Sequence, residues 1–182
     1  MSNSNTIKST KGVLETLKSK VSAVQWTPSV GPVQALFGKV EIYDLTDLAI
    51  AINDLLAFKD RICLVVLDSE DYENVRSGQE LHCLQTRRVV LLMADRHWTK
   101  AQTALLGDGT KTPGVLDIKD LVLPAVIGLL QDGVMCEPGT GELSAVQSQD
   151  KGRTKDHRIT YWQPLTLRGG EYFAELGRKP IH

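Results

Sequence analysis

The stretch Arg61 to Trp98 reads RICLVVLDSEDYENVRSGQELHCLQTRRVVLLMADRHW, and its two apolar ends decide the fold. Ile62-Cys63-Leu64-Val65-Val66-Leu67 opens it and Val89-Val90-Leu91-Leu92-Met93-Ala94 closes it. Both runs are short and rich in β-branched or bulky aliphatic residues, a texture that suits buried strands better than helices. Asp68, Ser69, Asn74, Ser77 and Gly78 between them are polar and turn-prone, which predicts an antiparallel hairpin with a long tip.

Helical patterns flank the hairpin. Upstream, Leu45, Leu48, Ala49, Ile52, Leu55 and Leu56 form one stripe over about Leu45 to Phe58, with Asp44 or Thr46 as cap. A short turn, Lys59-Asp60-Arg61, then brings the helix beside the first strand. An earlier helix is predicted from about Thr10 to Val24 on the spacing of Val13, Leu14, Leu17, Val21 and Val24, capped by Ser9 or Thr10. Between the two, Pro28, Gly31, Pro32 and Gly38 break regular structure. Downstream, Thr99 to Leu116 reads as an inserted surface loop, with room for a helical turn at Ala101 to Leu106. Ile118, Leu121, Val122, Ala125, Leu129 and Leu130 predict a third helix capped by Asp117 and stopped by Gly133, with a kink at Pro124 unless it starts nearer Asp120. Glu142 to Gln147 and Arg158 to Leu167 alternate as a second hairpin, joined by a polar Gln149 to Asp156 link; Pro164 marks the last strand as an edge or a bend. The prediction is an α+β fold: a mostly antiparallel sheet of two hairpins packed against two or three helices. Residues 1–10 are a tail, 11–168 one domain with the loop inserted at 99–116, and 169–182 a C-terminal arm. Leu64, Val66, Val90, Leu92, Leu121 and Leu129 are expected beneath the helices.

The 182 residues can bury a sizeable core without cross-links, and the formal net charge of -1 gives no reason to expect a polyanion as main partner. Aromatic residues make up 5%, too few for a stacking platform on single-stranded nucleic acid. Cys63, Cys83 and Cys136 are odd in number, widely spaced and outside any CxxC pattern, which fits free thiols in a reducing compartment. Met1 to Asn5 lacks the basic-then-apolar layout of a signal peptide, and no apolar run is long enough to span a bilayer.

The residues carry no recognisable catalytic kit. Asp68, Glu70, Asp71 and Glu73 cluster after a strand, as carboxylates that hold Mg²⁺ in a nuclease do. Such a centre also needs a carboxylate and a lysine on the neighbouring strand, where this chain has Gln85, Thr86, Arg87 and Arg88. His82, His97, His157 and His182 lack zinc-ligand spacing, and no nucleophile elbow or phosphate loop is present. No metal and no cofactor is expected. Arg87, Arg88 and Arg96, near the sheet, are candidates for ion pairs across a subunit boundary, and Trp98, Tyr161 and Trp162 for core or interface.

The texture of a helix leading into "ICLVVLDSEDYE", then "TRRVVLLMADRHW", a helix "DIKDLVLPAVIGLL" closing on "QDG" and a late "RITYWQPLTL" resembles the tail terminator, or tail completion, proteins of long-tailed bacteriophages. The resemblance spans roughly residues 40 to 168 and is one of pattern. The Trp26 to Gly38 connection, the Thr99 to Leu116 insertion and the tail after Gly169 depart from it. It implies a non-enzymatic virion protein, assembled in the host cytoplasm, that forms a homohexameric ring capping the tail tube and joining it to the head-side neck. Its partners would be itself, the tail tube protein, the head-completion or connector protein and the sheath protein of a contractile tail, with DNA only as passing cargo and no membrane. On that reading Arg87, Arg88, Arg96, Trp98, Tyr172 and Phe173 are candidates for the subunit interface. Another neck ring or adaptor, and a small metal-dependent nuclease, stay open as alternatives.

Overall fold

Helix α1 (Thr10–Ser22) begins where the Ser9 side chain accepts a hydrogen bond from the Gly12 amide. It buries Val13, Leu14, Leu17 and Val21 along one stripe. The structure, a computed structural model, describes residues 9–58, 60–77, 80–95, 101–108, 110–131, 133–150 and 153–172. After α1, two short strands, β1 (Gln25–Trp26) and β2 (Gln34–Ala35), pair with each other within the Pro- and Gly-rich connection. Strand β3 (Lys39–Asp44) follows, then a 3-10 turn (Leu45–Asp47) and helix α2 (Leu48–Ala57). The Asp44 side chain caps this passage by accepting from the Asp47 amide.

The central hairpin is β4 (Ile62–Ser77) and β5 (Glu80–Ala94). It is followed by α3 (Ala101–Leu106), α4 (Val115–Val126), β6 (Gly128–Gln131), β7 (Val134–Pro138), β8 (Glu142–Asp150) and β9 (Arg153–Tyr172). The main sheet has the order β3-β4-β5-β9-β7-β6, and β8 also pairs with β9. All its pairs are antiparallel except β3 with β4, which are parallel. A parallel pair needs a crossover, and α2 supplies it. The fold is α+β, as the pattern of elements predicts.

The apolar runs are continuous because both faces of the sheet are covered. Cys63, Val65, Val89, Leu91 and Met93 face α1 and α4 in one core cluster, together with Leu165 and Leu167 of β9. Ile62, Leu64, Val66, Leu92 and Ala94 face α2 in a second, smaller cluster. Of the residues expected beneath the helices, Leu64, Val66 and Leu92 are buried, whereas Val90 and Leu121 are partly buried at the margins. The Leu129 side chain lies outside the described residues.

Several boundaries correct the reading of the sequence. Residues 68–77 form strand, not a tip, so the hairpin is far longer than its apolar core. No element is predicted at Lys39–Asp44, yet Val40 and Ile42 alternate with polar neighbours there and β3 results. Helix α4 is capped one turn earlier than expected: Gly114 is the N-cap, and Asp117 reaches back to accept from the Gly114 amide at 3.0 Å. The helix stops at Val126, two residues after Pro124, and Gly128 with φ 92° turns the chain into β6. Leu130 is therefore in a strand, and Gly133 sits in the β6–β7 turn instead of ending the helix.

The 99–116 segment is not simply a loop. Helix α3 packs on α4, Ala104 and Thr112 are 2% and 4% exposed, and Gly107 with φ 74° is the left-handed stop of α3. Gln149 to Asp156, read as a link, is strand over most of its length.

β9 is not an edge. It pairs with β5 along one side, with β8 over Arg153 to Trp162 and with β7 over Leu165 to Gly169 on the other. Pro164 sits at the gap between those two partners. Its carbonyl accepts from the Gly139 amide at 2.8 Å, so its missing N–H faces the same side, where no ladder bond is lost. Gly169–Tyr172, assigned to the arm, continues β9 against β5. Residues 1–8 and 173–182 lie outside the described residues.

Candidate assembly surface

Beyond Leu67 and Val89 the hairpin leaves the α2-covered core and its side chains turn polar. A β-bulge at Asp68 shifts the register between Leu67 and Ser69, so that Glu70 stands opposite Arg87 and Tyr72 opposite Gln85. Gln85 and Arg87 stay in phase with Val89, Leu91 and Met93 along β5, which places them on the α1 side of the sheet. There they are 2% and 1% exposed.

These side chains form one hydrogen-bonded cluster with the start of α1. Arg87 Nε donates to Thr10 Oγ1 at 3.0 Å and lies 3.6 Å from Glu70 Oε1. Gln85 Nε2 donates to Tyr72 Oη at 2.7 Å and lies within bonding reach of Thr10 and Glu70, while its carbonyl accepts from the Arg87 guanidinium. Thr10 also donates to Glu70. A buried guanidinium needs this many partners, since an unpaired buried charge is costly.

Arg87 is thus turned inward and is not available to a neighbouring subunit, which corrects its assignment to the interface. Arg88, on the opposite face, is exposed and 3.4 Å from Asp71 Oδ2. Arg96, Trp98 and Phe173 lie outside the described residues, and Tyr172 is placed only as the last residue of β9 opposite His82. Tyr161 and Trp162 are half-buried on opposite faces, Tyr161 against the α1 side with Lys119 5.8 Å from its ring, and Trp162 against the α2 side.

Two members of the acidic segment are engaged by neighbours: Glu70 by Arg87, Thr10 and Gln85, and Asp71 by Arg88. Among the described residues no group of three His, Cys, Asp or Glu side chains is placed to hold a metal ion. Cys63 and Cys136 are buried free thiols; burial raises both, Cys136 to about 12. The Cys83 side chain is not among those described.

What is open on this molecule is sheet edge and scattered apolar surface. β3 covers β4 only as far as Asp44 opposite Leu67, which leaves the acidic outer half of β4 without a strand on that side among the described residues. Among the described residues β8 pairs only with β9, so no strand covers its other edge there. Charges along the β4 edge, Glu70, Asp71 and Glu73, discourage indiscriminate strand addition. Leu45, in the 3-10 turn, and Ile50, on the outer side of α2, are 48% and 56% exposed. Of the stripe expected there, Leu55 and Leu56 are buried and Ile52 packs against the core, whereas Leu45 and Ala49 are exposed and Ala51 is buried in addition. Sequence periodicity could not separate these faces, because nearly all of Leu48–Ala57 is apolar.

No protein-family model and no curated protein matches this chain. No helix among the described residues is long and apolar enough to cross a membrane.

Proposed function

We propose that this chain is a structural protein of a bacteriophage virion, a tail terminator whose homo-oligomeric ring, most simply a hexamer, caps the tail tube and meets the head-side connector. The observation that carries this reading is the order helix, long hairpin, helix, second hairpin, which corresponds to α2, β4–β5, α4 and β8–β9. A hairpin that continues well past its helix-covered core offers a surface with no role in the monomer's own apolar packing. Two sheet edges that differ in sequence and position suit a head-to-tail joint, in which each subunit shows a different face to each neighbour. The engagement of Glu70 and Asp71 by Arg87 and Arg88 counts against the nuclease alternative, which would need those carboxylates for metal.

The test is a map of the assembled particle together with particles made without this chain. The reading expects a ring at the head-proximal end of the tube, and unjoined heads with tubes of uncontrolled length when the chain is missing. A single copy per particle, a position elsewhere, or absence from particles would overturn it.

A further inference from the structure

We draw no further inference here: the strongest candidate, the uncharged tip of the β1–β2 connection, where Val30 and Val33 are 60% and 53% exposed, is an unpartnered apolar surface, and nothing in the structure shows what covers it.

Discussion

Arg87 on β5 and Thr10 at the first turn of α1 are joined by a 3.0 Å hydrogen bond across 77 residues of sequence. The bond fastens the helix to the part of the hairpin that no apolar contact covers. It also explains how a guanidinium 1% exposed is tolerated: Gln85 and Glu70 complete its surroundings.

Replacing Arg87 with Met should therefore destabilise the protein by about 1–3 kcal/mol, since the buried Gln85 carbonyl loses its guanidinium donor, while the exposed Glu70 keeps Thr10 and Gln85. Thr10→Ala should cost about 1 kcal/mol. The double variant should fall short of the sum, because both changes break the same network. Urea unfolding of the four proteins checks this. Strict additivity would mean that the cluster is a set of independent contacts.

How much of this was legible follows from periodicity. The two ends of the hairpin are legible because runs such as Ile62–Leu67 have few other places to go once both faces are covered. The alternation that buries Met93, Leu91 and Val89 continues through Arg87 and Gln85, so their inward direction was available in the sequence. Their polarity hid it, and only the partners contributed by Thr10, Glu70 and Tyr72 make burial affordable. β6 and β7 were hidden for another reason: Leu129 and Leu130 keep helical spacing after α4, and only Pro124 and Gly128 show where the helix stops.

The turn from α2 into β4 is held by a distant residue. Arg158 of β9, 1% exposed, donates to the carbonyls of Phe58 and Asp60. Arg158→Leu should leave these carbonyls short of donors and cost about 2–4 kcal/mol, with the β3–β4 region losing hydrogen-exchange protection first. Uniform loss of protection over the whole sheet would show that this turn is not a separate weak point.

Gly114 sets how closely α3 approaches α4. A Cβ there would collide with the backbone of Leu105 and Gly107, which cannot give way as a flexible side chain would. Gly114→Ala should therefore lower the melting temperature by several degrees, in line with a cost of about 1–3 kcal/mol for overpacking. The same tight seam predicts that deleting 99–116 destabilises the fold, since it removes Ala104, Thr112 and the first residues of α4. A deletion variant with the parent's melting temperature would show that the seam contributes nothing.

The contact between β3 and α2 carries a pH signature at both ends of the scale. Tyr43 donates to Asp54 Oδ2 at 2.6 Å, and Lys39 pairs with the same oxygen at 2.9 Å. Those bonds lower Asp54 from its ordinary value, chiefly through Tyr43 and then Lys39, and the bond to Asp54 is the largest cause raising Tyr43 to about 12. A lowered carboxyl stabilises the fold above its unfolded value near 3.8, and that contribution is lost as pH falls through the folded value. A raised phenol stabilises below its unfolded value near 10, and that contribution is lost as pH climbs toward 12. Tyr43→Phe should therefore be less stable than the parent at neutral pH and converge with it at both extremes. Absorbance titration of the parent should show one tyrosine ionising about two pH units above an ordinary one, missing in the variant. A stability difference between parent and Tyr43→Phe that stays constant from acid to alkali would mean the lost bond is not coupled to ionisation, and Asp54 would then be held by Lys39 alone.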